Sequence, residues 1–412
     1  LPGSAPLRLD GSLGTGLRRA PRPRQARIIG AVNASRAPVL ALDVPSGTDA
    51  TTGGVAGRII DADLTVSFGA PKTGALLHPA RAHVGRHVTL EIGFPPRTET
   101  DAAAFAVTPR WVAERLPRRG TDTHKYRVGH VVVLGGGPGM AGAAILAARG
   151  AFRAGAGLVH VVTAAENRDG VHGALPEAIV VGWAETARLT EALDEADAVV
   201  AGPGLGRTAE SVDVLRLTLE KGEAPVILDA DGLNLLAEGA VAVPEGRRML
   251  MTPHPGEMRR LLGESPAGGA SKESGARDTS PLALAREAAR LYQCAVLYKG
   301  APSVVAAAGG PAAIDTQSSS DLAVAGMGDT LAGVCGALSA QGLDLAEAGS
   351  IGLYLSGRAA TLAGRGVGLT PWDVAESVPE AIGEVTSPVD GVVAGSTDLD
   401  LPFVLFDADR AR

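Results

Sequence analysis

The sequence predicts an α/β protein: a mostly parallel sheet with helices on both faces, preceded by a smaller unit that also carries strands. Three observations predict it. From His130 onward, short β-branched runs alternate with Ala-rich segments, the order expected of strands and crossover helices. The runs are mostly apolar, as strands buried on both faces are. Most of them end in a glycine-rich or polar loop, and in open parallel sheets ligands sit beyond those strand ends.

Taken in order, "HVVVLGGG", "AGLVHVVT", "ADAVVAGPGLG", "APVILDADGLN", "RMLMTPHPGE" and "CAVLYKGAP" each read as a buried strand, a loop and, in most instances, a helix. The segment "SVVAAAGGPAAIDTQ" carries Gly309 and Gly310 between two extended pieces and predicts a hairpin. It leads into "AVAGMGDTLAGVCGAL", where Gly326, Gly328 and Asp329 open a helix. The small polar run from Gly263 to Ser280 reads as a surface insertion without chemistry. Upstream, "APVLALDVPSG" and "ADLTVSFGAP" read as strands, and the Pro-rich "GFPPRTETDAA" marks a boundary. The expected organisation is residues 1–96, a linker at 97–107, a larger domain at 108–384 and a tail at 385–412. Within that tail "PFVLF" is either an edge strand or unstructured.

Bulk properties narrow the function. A chain of 412 residues with 45% hydrophobic content is long enough for two packed cores. Its net charge of -7 argues against a broad nucleic-acid surface. The two cysteines, Cys294 and Cys335, lie far apart in apolar surroundings, as reduced core residues do. No run of about eighteen apolar residues is present, and the first residues lack a secretory pattern. The expectation is a cytoplasmic, homo-oligomeric protein with small-molecule partners and neither nucleic acid nor membrane. The chain opens on Leu1, so an upstream portion is expected.

Gly137, Gly139 and Gly142 spell the dinucleotide-binding G-x-G-x-x-G. A hydride-transfer site is disfavoured, because the following strand supplies no acid until Glu166. No G-x-x-x-x-G-K-[ST] occurs, which excludes a P-loop. If the sheet reading holds, the loops Gly135–Gly142, Gly202–Gly206, Thr252–Glu257, Lys299–Pro302 and "GMGD" share one rim. Glycine loops admit a nucleotide, Lys299 offsets phosphate charge, the helix at Asp329 offers N–H groups, and Glu257 holds Mg²⁺ through water. These are the parts of a phosphoryl-transfer site, with Asp329 accepting the proton of the attacking hydroxyl. Each residue also has a plainer reading. Asp329 caps a helix, His254 is a loop residue bonded to backbone, Lys299 a solvated strand end, Glu257 a first-turn charge, and Asp229 and Asp231 turn formers.

In this order the motifs resemble the ADP- or ATP-dependent NAD(P)H-hydrate dehydratases, whose fold is ribokinase-like. The resemblance runs from "THKYRVGHVVVLGG" through "GMAGAAILAARGAFRAGAGLV", "GPGLG", "LDADGLN", "TPHPGEM", "KG" and "GMGDTLAG" to "TPWDVAESVPEAI", covering residues 108 to 382. It implies repair of nicotinamide cofactors damaged by water: a nucleotide phosphorylates the 6-hydroxyl of the (6S)-hydrate, and phosphate leaves to regenerate NADH or NADPH. By this resemblance Asp329 is the base and a substrate contact, and Gly142, Ala143, Gly204 and His254 contact the hydrated cofactor. Gly328 and the loop Lys299, Gly300, Ala301, Pro302 and Ser303 lie near the AMP portion of ADP or ATP. Glu257 matches the acid associated with Mg²⁺ in the wider superfamily.

The front portion resembles the second half of the NAD(P)H-hydrate epimerase domain, and so a partial Rossmann-like α/β domain, on "LDGSLGTGLRRAP" and "LALDVPSGTDATTG". The resemblance implies that Asp10 and Ser46 bind K⁺. It gives Gly14, Thr15, Gly16, Leu17, Arg18, Arg19 and Ala20 the phosphates of the hydrate, and Asp43 the substrate or its proton. The family's N-N-G-G-D-G loop is not in this sequence, and impaired epimerase activity is expected. Two other readings stay open: a kinase of a small vitamin-like alcohol on the same fold, and a nucleotide-binding module without catalysis.

Overall fold

The computed structural model describes residues 7–94, 102–118, 128–263, 279–386 and 403–407. It divides the chain into two compact units, residues 1–108 with 393–412, and residues 109–392. Residues 264–278 of the insertion expected between Gly263 and Ser280, and the start of the "THKYRV" motif, lie outside the described residues.

In the first unit β1 (Arg8–Asp10), β2 (Val39–Leu42), β3 (Leu64–Phe68) and β4 (Arg86–Leu90) pair in parallel in that order. Strands β2 and β3 coincide with the two apolar runs read from the sequence. The other two were missed: β1 is only three residues long, and β4 reads "RHVTL", with polar residues at three of its five positions. The helix Pro23–Asn33 packs Ile29 against Val39, Ala41, Ile60 and Ala62 to close a small core. The strand Phe403–Asp407 pairs antiparallel with β4, so the described part of "PFVLF" lies in an edge strand. Residues 104–106, inside the expected linker, form a short strand, β5 (Ala104–Ala106).

The second unit holds β6 (His130–Leu134), β7 (Leu158–Thr163), β8 (Ile179–Gly182), β9 (Ala198–Ala201), β10 (Val226–Leu228), β11 (Met249–Met251), β12 (Ala295–Tyr298), β13 (Val304–Ala306) and β14 (Ala312–Ile314). Their order across the sheet is β14-β13-β12-β11-β10-β9-β6-β7-β8. From β12 to β8 the neighbours are parallel. Strands β12, β13 and β14 are antiparallel, the hairpin predicted around Gly309 and Gly310. All six predicted strands form; β8 was not foreseen.

The strand order locates the site. The chain lays β7 and β8 on one side of β6, then returns to place β9 on the other. That reversal opens a crevice between the loops after β6 and β9, the position where open α/β sheets take their ligands. Over it lies the helix Met327–Ala340, packed on β6, β9 and β10 and on the helix Ala141–Arg153. The two helices cross with their backbones touching: a Cβ on Gly333 would stand 1.8 Å from the Ala147 carbonyl oxygen, and one on Gly150 would stand 2.3 Å from that of Thr330. Small residues at the crossing therefore set the height of Asp329 above the sheet. Gly333→Ala is expected to lower the unfolding free energy by about 1–3 kcal/mol, read by urea denaturation. An unchanged midpoint would mean that the crossing yields without cost.

Candidate active site

Two glycine loops face each other across the crevice. The Gly136 N–H donates to the Pro203 carbonyl at 2.9 Å and the Gly137 N–H to that of Gly204 at 2.7 Å. The buried Asn167 amide donates to the Gly136 and Gly137 carbonyls at 2.7 and 2.9 Å. The amide of Gly137, the first glycine of the apparent dinucleotide fingerprint, is thus spent on the protein itself. Gly204 adopts φ 55°, and a Cβ there would stand 2.8 Å from the Ala143 Cβ. These two expected substrate contacts adjoin, while Gly142 faces open space. Asp231 ties the second loop down, its Oδ2 accepting from the Gly206 N–H at 2.9 Å.

Asp229 follows β10 directly and stands at the start of the helix Ala230–Ala237, yet its side chain does not cap that helix. Its Oδ1 accepts instead from Lys299 Nζ at 2.6 Å. The plain readings of Asp229 as a turn former and Lys299 as a solvated strand end are therefore corrected: the two form one ion pair, with Asp229 1% exposed. Lys299 follows β12, and its N–H donates to the Pro253 carbonyl at 2.8 Å, joining the loops Thr252–Glu257 and Lys299–Pro302. Burial opposes the ammonium charge, but Asp229, Glu257 and Asp329 outweigh it and raise the lysine pKa. Beyond it the Gly300 N–H donates to Ser303 Oγ at 3.1 Å, folding Ala301 and Pro302 into a tight loop.

The helix anticipated at Asp329 begins at Met327, after Gly326 at φ 91°, and Asp329 is its third residue. The Asp329 carboxylate has no hydrogen-bond or ion-pair partner among the described residues. Burial, and after it the charge of Asp229, pushes its pKa up to about 7 against the pull of Lys299. A Cβ on the adjacent Gly328 would stand 3.1 Å from Lys299 Nζ and 3.6 Å from Asp229 Oδ2, so the helix start abuts the ion pair.

His254 and Glu257 stand at the start of the helix Pro255–Leu261, as its cap and its third residue. His254 Nδ1 accepts from the N–H groups of Gly256 and Glu257 at 2.9 and 3.4 Å, and Glu257 Oε2 accepts from the His254 N–H at 2.8 Å. This reciprocal cap satisfies orphan amides at the helix start. His254 is thus bonded to backbone, yet half its side chain is exposed at the rim. Burial first, then Lys299 and Arg260, lower its pKa, which keeps the ring neutral. Glu257 is 5% exposed, and burial pushes its pKa up to about 7, with Asp229 adding and Lys299 opposing.

In the first unit, Asp10 accepts through Oδ2 from the Ser46 N–H and through Oδ1 from Ser46 Oγ, both at 2.7 Å. Both residues are buried, and Ser46 Oγ also receives the Leu13 N–H at 2.9 Å. Asp43 adopts φ 69°, and its Oδ1 accepts from Lys72 Nζ and from the Phe68 N–H. Lys72 was not singled out from the sequence; its signal is its place in the loop after β3, facing the loop after β2. Leu17, Arg18 and Arg19 line a cavity of about 250 Å³ with Gly47, Asp49 and Gly54. Gly14, Thr15, Gly16 and Ala20 lie exposed on the same loop. Among the described residues no group of three or more His, Cys, Asp or Glu is arranged to hold a metal. No helix among them is long and apolar enough to cross a membrane. Both cysteines are free and buried, which pushes each thiol up to about 12.

Comparison with known proteins identifies the family. The profile of the NAD(P)H-hydrate dehydratase family matches residues 131–380, and that of the YjeF-related protein N-terminus matches residues 4–74. The bifunctional NAD(P)H-hydrate repair enzyme Nnr of Moorella thermoacetica is 35% identical, over 96% of this chain and 76% of its own. Its namesake from Escherichia coli (strain K12) is 38% identical over 87% and 67%. Among solved structures, a ribokinase-like superfamily protein from Enterococcus faecalis aligns at TM-score 0.63 and 25% identity, covering 72% of this chain and all of its own. The ADP/ATP-dependent NAD(P)H-hydrate dehydratase of Bacillus subtilis, co-crystallized with ATP and Mg²⁺, aligns at TM-score 0.57 and 27% identity over 68% and 97%. The fold is ribokinase-like, and this chain belongs to the NAD(P)H-hydrate dehydratase family.

Proposed function

We propose that the chain repairs hydrated NADH and NADPH, using ADP or ATP to drive out the added water. The observation that carries this reading is the unpartnered Asp329 carboxylate, with a pKa near 7, at the start of a helix that abuts Lys299. Asp329 takes the proton of the 6-hydroxyl as its oxygen attacks the terminal phosphorus, and the bond from phosphorus to the leaving nucleotide breaks. Lys299 and the amides at the helix start face the charge that spreads over the phosphoryl oxygens. Departure of phosphate together with a ring proton restores the ring double bond. Gly142, Ala143, Gly204 and His254 border the space for the hydrated cofactor, and Gly300 to Ser303 with Gly328 that for the nucleotide. A vitamin kinase would use the same parts but would stop at a stable phosphate ester.

Glu257 offers one carboxylate with an oxygen already on the His254 N–H. That suits a Mg²⁺ whose remaining ligands are waters and nucleotide phosphates, since among the described residues no group of three or more His, Cys, Asp or Glu forms a cage. Such an ion would neutralise phosphate charge. In the first unit we propose the epimerase site, with Asp43 beside the substrate and the loop Gly14 to Ala20 on its phosphates. The gathered oxygens of Asp10, Ser46 and Leu13 suit K⁺, a hard cation.

Incubating the protein with hydrated NADH and each nucleotide in turn, and following NADH absorbance, tests the proposal; phosphorylated hydrate without NADH would favour the kinase. The pH dependence has a definite sign. Asp329 must be ionised to accept a proton, so kcat/KM is expected to fall as pH drops through about 7. A flat profile there would remove Asp329 from the base role.

A further inference from the structure

Asp229 is the least exposed charged residue among the described ones, at 1%. Its backbone is held on both sides: its N–H donates to the Ala201 carbonyl and its own carbonyl accepts from the Gly232 N–H, each at 3.0 Å. The neighbouring loop presses on it so closely that a Cβ on Gly202 would stand 1.9 Å from the Asp229 carbonyl oxygen. At the start of a helix an aspartate ordinarily caps, but here no cap bond forms and Oδ1 turns to Lys299 Nζ at 2.6 Å. The other oxygen points at the opening of the Asp329 helix, 3.6 Å from the position of a Cβ on Gly328.

A lysine is a point charge on a flexible stem, and an unanchored one loses rotamer freedom when it meets a phosphate. The carboxylate of Asp229 is too deeply buried to touch a ligand itself. We infer that Asp229 is a positioning residue: its locked, buried carboxylate holds the Lys299 ammonium against the start of the Asp329 helix, aimed where the transferred phosphoryl group sits. This rests on the reading that Lys299 meets the nucleotide phosphates. Gly328 belongs to the same device, because a side chain there would crowd the Lys299 ammonium, 3.1 Å from the position of its Cβ.

The test is a double-mutant cycle on the full chain with Asp229→Asn, Lys299→Gln and the pair. The readouts are KM for nucleotide, KM for hydrated NADH, kcat and thermal unfolding. Glutamine keeps a side-chain donor near Asp229 but removes the charge, so thermal unfolding of this variant is read beside its kinetics. Asp229→Asn is expected to reduce kcat/KM for the nucleotide about ten- to hundredfold, leaving KM for the hydrate unchanged. In the Lys299→Gln background the same change should cost less than about twofold. Multiplying losses in the double variant, or wild-type kinetics in a folded Asp229→Asn, would overturn the inference alone. Wild-type kinetics in Lys299→Gln would overturn it together with the nucleotide reading beneath it. Equal losses for both substrates, matched by a lower melting midpoint, would make Asp229 merely structural.

Discussion

Asp329→Asn is expected to lower kcat by about 10²–10⁴-fold while KM for the nucleotide stays within about twofold. Asparagine matches aspartate in size and sits as readily in the first turn of a helix. The substitution therefore removes proton acceptance and little else. The native carboxylate has no partner among the described residues to be stranded by the change, and the nearby Lys299 remains paired with Asp229. Because burial and Asp229 already hold its pKa near 7, Asp329 is a stronger base than an exposed aspartate and still ionised in good part at neutral pH. Regeneration of NADH measures the loss, and nucleotide titration by calorimetry checks that binding persists. Turnover near the wild-type rate would show that another group takes the proton.

Lys299→Met is expected to reduce kcat/KM by about 10²–10³-fold, the cost of losing one preorganised cationic donor to a transferring phosphoryl group. It should also destabilise the fold by up to about 3–5 kcal/mol, because methionine leaves the Asp229 carboxylate buried and unpaired. Coupling Asp229→Asn to it should recover part of the stability and none of the activity. Steady-state kinetics and chemical denaturation separate the two effects. A variant as stable as the wild type would mean that water reaches Asp229 once the lysine is gone.

How much of this was legible beforehand follows the range of the signal. The six strands of the larger sheet and the hairpin at Gly309 and Gly310 were readable because apolar runs and glycine turns are local patterns. Strand β8 was not, since "IVVG" is only four residues long. The capping pair His254 and Glu257 was half legible: an acid three residues past a helix start is a capping pattern, but histidine as the acceptor is unusual. Asp229 was seen only as a turn former because its partner lies 70 residues away.

By itself, the sequence determined the strand-loop-helix succession and the chemistry carried by each loop, since both depend on residues adjacent along the chain. Only the tertiary structure decided that β9 returns beside β6, that Asp229 seizes Lys299, and that Asp329 and Glu257 rest near neutrality. Strand order, desolvation and Coulomb attraction depend on distance in space, which the distance along a chain does not fix.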